Sequence, residues 1–254
     1  MRKIIPCLVL SGAALAAFAG LQFAASAEAG SARVTTETAR SGQPVVIELF
    51  TSQGCSSCPP ADMLARRLAK DPSLLVITRP VTYWDRLGWK DTLAREANTR
   101  LQRAYAAKGG EGAGVYTPQI VVNGDGAAVG SREADIRSLV RRADRSGPRI
   151  TTASAAKGGM TVTIGGKSDY LASVSLIALR SATSVRIGRG ENGGRTLHFT
   201  NVVRDEQLLG SWRGRQQTFD IPASFLKTSG ADKYAIVVQR PGAGPIVAAK
   251  LIDI

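Results

Sequence analysis

The residues best suited to chemistry are two cysteines three positions apart, Cys55 and Cys58, with Ser56 and Ser57 between them. On one helical turn two sulfurs at this spacing can close a small disulfide. A helix N-terminus adds partial positive charge and free N–H groups, and both favour the thiolate, the reactive form. Cys55 stands at the loop end and is expected to be the more exposed thiol and the nucleophile. Cys58 is expected inside the first turn, more buried, as the resolving thiol. Two thiolates also suit Cu(I), and zinc sites use the same spacing. Seven positions before Cys55 stands Glu48, in the apolar run Val45-Val46-Ile47-Glu48-Leu49-Phe50. A carboxylate there is costly to bury unless paired. Two readings stay open: a proton carrier for Cys58, or an outward-facing or strand-end charge with an arginine partner.

These residues need a frame that brings them together. Val45–Phe50 reads as a buried strand, and Pro59 to Lys70 as a helix with Met63, Leu64 and Leu68 at helical spacing. The early prolines fit a first turn, whose N–H groups lack intrahelical partners. Asp71-Pro72 ends the helix. Leu74–Thr78 is a second strand, and Asp91 to Lys108 a second, amphipathic helix. Gln119–Val122 and Ala127–Gly130 flank Asn123-Gly124-Asp125-Gly126, a hairpin signal. Ser131 is placed as the cap of a third helix reaching about Asp144. The order β-α-β-α-β-β-α is that of a thioredoxin core. After Ser146-Gly147-Pro148 the pattern changes to short alternating segments between turn clusters, among them Leu171–Leu179, Ser184–Ile187 and Leu197–Val203. That spacing predicts an antiparallel β-sandwich. The expected fold is therefore α/β plus all-β: a thioredoxin-like domain over 44–147, then a β-sandwich domain over 148–254.

In this chain order the residues Tyr116-Thr117-Pro118 precede the third strand. Thioredoxin-like proteins carry a cis proline there, against the cysteines, and the backbone before it pairs with an extended substrate. The alternative is a trans proline that merely starts a strand. Tyr83 and Trp84 open the aromatic stretch that ends at Trp89. They would form either a lip over the disulfide and a platform for a peptide, or a small core beneath a long loop. Thr117, Pro118, Tyr83 and Trp84 are thus the candidate substrate-binding residues. His198 is the only histidine, which excludes a triad or a multi-histidine metal site within the chain. Arg137, Arg141 and Arg145 recur every four residues and read as a solvated helix face.

The first residues resemble a targeting segment. Arg2 and Lys3 precede an apolar stretch from Ile4 to about Phe23, and Ala25-Ser26-Ala27 fits a cleavage site. Residues 1–27 are expected to be a signal peptide and 28–43 a polar extension; an uncleaved anchor is the alternative. After cleavage no stable membrane span is expected. Cys7 would leave with the signal, and Cys55 and Cys58 would remain as an even pair in a disulfide-permissive, periplasmic or extracellular compartment. The chain carries a net charge of +13, which becomes +11 without Arg2 and Lys3. That favours anionic partners. Nucleic acid is not expected for an exported protein, and neither a cofactor nor a resident metal is expected.

The stretch from Glu48 to Asp62, ELFTSQGCSSCPPAD, resembles the domain-of-unknown-function family 1223, exported bacterial proteins with a thioredoxin-like part. Further matching stretches are 83–91, 116–119, 122–124, 191–195 and 201–204, so the resemblance spans nearly the whole mature chain. It implies a fold and a redox site, and no particular reaction. Thr82 departs from the family pattern, which has an acidic residue before Tyr-Trp-Asp. That departure argues against a carboxylate cluster beside the cysteines.

Three functions follow from these readings. The first is a thiol–disulfide oxidoreductase of the cell envelope, acting on protein thiols or disulfides through Cys55 and Cys58. The second is a Cu(I)-binding or delivery module. The third is a binding protein in which the disulfide is a staple. A Gln53 two before Cys55, and no histidine nearby, argue against the second.

Overall fold

A computed structural model describes residues 42–252. The signal peptide and nearly all of the polar extension expected at the N-terminus lie outside those residues. Its first strand, β1 (Val45–Thr51), is buried at every position. It lies between β2 (Leu74–Pro80), which runs parallel to it, and β3 (Gln119–Val122), which runs antiparallel. β3 turns back into β4 (Gly126–Val129) through Asn123 and Gly124, at φ +46° and +65°. Positive φ at both centres is what an Asn-Gly hairpin turn requires.

Burial on both sides explains why β1 is a continuous apolar run. Val45, Ile47 and Leu49 pack with Ala61, Leu64 and Ala65 of α1 (Pro59–Leu68) and with Ile136 and Leu139 of α3 (Glu133–Arg142). On the opposite face Phe50 packs with Tyr105 of α2 (Glu96–Lys108), Val81 and Val121. α2 begins five residues later than its sequence pattern suggested, because the Asp91 carboxylate accepts from Gln53 N and Leu93 N and shapes a turn there instead. The N-cap of α3 is Arg132 rather than Ser131, without a side-chain capping bond.

The second half supplies β5 (Ile150–Ser154), β6 (Met160–Ile164), β7 (Ala172–Arg186), β8 (Thr196–Trp212), β9 (Gln217–Ile221), β10 (Lys233–Gln239) and β11 (Ile246–Ile252). β5, β6 and β9 form a three-stranded antiparallel sheet. The other strands join those of the first half in one eight-stranded sheet, ordered β11-β10-β7-β8-β2-β1-β3-β4. Val162, Ile164, Phe219 and Ile221 of the small sheet meet Val174, Leu176, Trp212 and Ile236 of the large one. The fold is thus mixed α/β, with a large and a small sheet. The sandwich expected beside the first half shares its larger layer with that half. β8 covers the edge of β2 that would otherwise present unpaired backbone groups. The junction is short: Thr78 pairs with Val202, Thr78 Oγ1 donates to Thr200 O at 2.6 Å, and Asn201 Nδ2 donates to Val76 O at 2.9 Å. Two segments expected as separate strands, 171–179 and 184–187, are mostly one fifteen-residue strand, β7. It pairs with the seventeen-residue β8 to form a long hairpin whose tip spans 187–195. Among the described residues no helix is long and apolar enough to cross a membrane.

Candidate functional site at the disulfide

β1 delivers the chain to the N-terminus of α1 through the loop Ser52–Gly54. Cys58 is the N-cap of α1, and Pro59 and Pro60 occupy the first helical positions. Cys55 and Cys58 are joined as a disulfide, with their Cα atoms 5.4 Å apart. Cys58 N donates to Cys55 O, and Ala61 N and Asp62 N both donate to Cys58 O. The sulfurs therefore sit where the helix presents its partial positive charge.

One expectation fails here. Cys55 was expected to be the more exposed thiol, yet both cysteines are 0% exposed. Two distant segments bond the loop around the cysteines. From one side comes the stretch after β2: Trp89 Nε1 donates to Gln53 Oε1 at 2.9 Å, and Asp91 accepts from Gln53 N at 2.8 Å. From the other comes the tip of the β7–β8 hairpin. Asn192, itself fully buried, donates from Nδ2 to Gln53 O at 3.0 Å and to Cys55 O at 2.9 Å. Ser56 N donates to Glu191 Oε2 at 3.1 Å. Ser57 Oγ lies 3.3 Å from Cys55 Sγ.

Thr117–Pro118 is a cis peptide. Pro118 borders the first turn of α1: a methyl built on Gly130 would come within 3.0 Å of Pro118 Cβ and 3.1 Å of Ala61 Cβ. Trp84 ties this corner to the cysteine loop. Its Nε1 donates to Thr117 Oγ1 at 2.8 Å, and its Cβ leaves only 3.3 Å for a methyl at Gly54. Trp84 and Tyr83 also pack on the cluster of Phe50, Val81 and Tyr105. These contacts are those of a small core beneath the loop.

Glu48 lies on the α2 face of β1, away from the face that holds α1. Its Oε1 accepts from Arg79 Nε and its Oε2 from Tyr105 Oη, each at 2.6 Å. Arg79 also donates to Glu206 of β8 at 2.9 Å. Arg79 and Tyr105 thus account for the two carboxylate oxygens, and Glu48, 1% exposed in the middle of β1, is neither outward-facing nor at a strand end. Strand alternation is what turns Glu48 from the cysteines.

The buried acid on the cysteine side is Asp62, which sequence reasoning passed over. It is 3% exposed; Thr51 Oγ1 donates to its Oδ1 at 2.9 Å, and its Oδ2 has no partner. Burial pushes its carboxyl up to about 8, against the Thr51 hydrogen bond and with the help of the Asp91 charge. The Asp91 carboxyl is also raised, chiefly by burial. Two buried carboxyls therefore stand near the disulfide in spite of Thr82, whose Oγ1 instead donates to Glu96 Oε2 at 2.6 Å. The available signal was spacing: a residue four after Cys58 shares its helix face. His198 faces Ser184 across the β7–β8 pair, 2.7 Å from its hydroxyl. Among the described residues no group of three or more His, Cys, Asp or Glu is placed to hold a metal ion.

A family model described as Protein of unknown function (DUF1223) matches residues 46–239. Among solved structures, the chain is similar to the X-ray crystal structure of protein AGR_C_4864 from Agrobacterium tumefaciens. That match has 28% identity and a TM-score of 0.72, and covers 84% of this chain and 96% of the other. It is also similar in fold to HBP35 of Porphyromonas gingivalis, at 14% identity and a TM-score of 0.51, over 84% of this chain and 76% of that one. No curated protein matches the chain.

Proposed function

The chain belongs to the DUF1223 family, and from that premise we propose that it is an exported thiol–disulfide oxidoreductase with a thioredoxin-like part at 44–147 and a sandwich part at 148–254. The observation that carries this reading is the Cys55–Cys58 disulfide at the N-terminus of α1, with the buried, half-partnered carboxyl of Asp62 one turn further on. A staple alone has no need of that acid, since burying an incompletely bonded carboxyl is destabilising.

In the oxidising direction a partner thiolate attacks Cys55 Sγ. The Cys55–Cys58 bond breaks and its electron pair leaves on Cys58 Sγ, beside the α1 N-terminus, which favours thiolates. Asp62, protonated near neutral pH, supplies the proton that Cys58 takes up. A second thiol of the partner then attacks the mixed disulfide, and Cys55 departs as a thiolate. The partner gains a disulfide and the protein becomes a dithiol; the reducing direction is the reverse. The backbone beside cis Pro118, with Trp84 and Tyr83, binds the partner's extended segment. Export follows the signal read at residues 1–27, into a compartment where the pair is oxidised.

The test is trapping. Cys58→Ser, expressed with its leader, accumulates mixed disulfides through Cys55 on non-reducing gels, and Cys55→Ser accumulates few. Equal trapping by the two variants, or none by either, refutes the proposal. The reduction potential of the pair then fixes direction, within a range of roughly −270 to −120 mV for such sites.

A further inference from the structure

We infer that the tip of the β7–β8 hairpin, residues 187–195, is a displaceable cap that holds the disulfide closed, and that thiol exchange requires it to lift. The inference rests on the reading of the Cys55–Cys58 pair as the reactive centre and concerns its control.

A thiolate must reach Cys55 Sγ along the line of the S–S bond, yet Cys55 is 0% exposed. Ile187, at the base of the tip, stays packed in the cluster with Trp89 and Leu93, and the tip's polar contacts to the disulfide loop are concentrated. Asn192 holds Gln53 O and Cys55 O, and Glu191 holds Ser56 N. These are main-chain groups immediately flanking the nucleophilic sulfur. A partner thiol that reaches Cys55 Sγ comes against the same loop, so cap and partner exclude one another. Beneath the tip lies Trp89, with 3.0 Å between its Cζ3 and a methyl built on Gly188. Trp89 in turn bonds Gln53, so lifting the tip uncovers the floor of the site as well.

The tip is built to move as one piece. Gly193 N donates to Gly190 O, Gly194 N to Ile187 O and Arg195 N to Asn192 O. Arg195 Nη1 also donates to Asn192 Oδ1 at 2.8 Å, fixing the amide so that its Nδ2 faces the disulfide loop. Gly190 and Gly194, at φ +81° and +80°, take conformations that other residues adopt only with strain. Opening thus breaks the bonds to the disulfide loop and leaves the turn intact, which is local rather than global unfolding.

The experiment measures reduction of the purified, oxidised full chain by excess dithiothreitol, with quenching by an alkylating reagent. Dithiothreitol attacks Cys55, Cys58 leaves as thiolate, and the second thiol of the reagent closes its own ring and releases Cys55. Asn192→Ala is expected to be reduced about tenfold faster than the wild type, since it removes both bonds to the loop. Trp89→Ala, which removes the floor and the Gln53 bond, is expected to move the same way and carries the test if Asn192→Ala does not fold. Near-ultraviolet dichroism confirms that each variant tested is folded. Rates within about twofold of the wild type in a folded variant overturn the cap. The two proposals fail separately. Faster reduction of Asn192→Ala without trapping by Cys58→Ser leaves the cap standing and removes the oxidoreductase. Trapping with unchanged reduction rates does the opposite.

Discussion

Asp62 follows Cys58 by one helical turn, its backbone N–H donating to the Cys58 carbonyl at 3.1 Å, and its carboxyl is sealed inside with one oxygen unpartnered. The arrangement sets beside the disulfide a group whose proton affinity burial has raised, and it makes stability depend on pH.

The stability consequence has a definite sign. Burial raises the folded-state pKa of Asp62 to about 8, from the ordinary carboxyl value of 3.8. Between those values the native state holds a proton that the unfolded state has lost, so stability falls as pH rises through the window. This contribution is fully present below the unfolded value and lost above about 8. Asp62→Asn keeps the acceptor for Thr51 and removes the ionisation. Urea titrations at pH 5 and at pH 9 are expected to show the wild type losing on the order of several kcal/mol relative to the variant. A parallel pH dependence in the two proteins counts against the raised carboxyl.

The kinetic consequence concerns Cys58. With its proton source gone, Asp62→Asn is expected to exchange disulfides about 100-fold more slowly at pH 7, within the usual contribution of general acid–base catalysis. Stopped-flow measurement with a model dithiol checks this. The deficit should shrink above pH 8, where the wild-type Asp62 loses its proton too.

Glu48 supplies the control. Its ion pair with Arg79 and its bond from Tyr105 are buried on the other face of β1. Glu48→Ala leaves Arg79 with Glu206 and an uncompensated hole, and is expected to cost about 3–5 kcal/mol in urea unfolding. Glu48→Gln, when folded, is expected to leave the exchange rate unchanged. A rate loss matching that of Asp62→Asn would return the proton-carrier role to Glu48.

Trp84 joins the cysteine loop to the corner at Thr117. Trp84→Phe keeps the apolar packing and loses the Nε1 bond, and is expected to weaken capture of an extended cysteine-containing peptide by about fivefold, the worth of one hydrogen bond. Peptide titration followed by fluorescence of the remaining tryptophans measures it. Unchanged affinity would show that the aromatic pair serves only the cluster with Phe50 and Tyr105.

Much of this site is local and was legible. Strand, short loop and paired cysteines before two prolines specify β1, the disulfide and α1 through backbone preferences acting over a few residues. Asn123-Gly124 specifies its hairpin in the same way. Segments shift where a side chain makes a distant bond: Asp91 bonds Gln53 N across 38 residues, and α2 starts late because of it.

What the sequence could not reveal is which groups meet. A carboxylate's facing on a strand depends on register and on what packs either side, so the pattern alone could not turn Glu48 from the cysteines, and Asp62 is the acid one helical turn after Cys58. The loop of Cys55 is bonded by a hairpin tip more than 130 residues away, Asn192 reaching Cys55 O at a separation of 137. Chain distance carries no information about such a contact. It exists because β8 pairs with β2 along the large sheet and carries the β7–β8 hairpin to the end where α1 begins. The chemistry of the pair was determined by residue type and spacing; whether it is open to a partner was decided by sheet topology, which sets what lies over it.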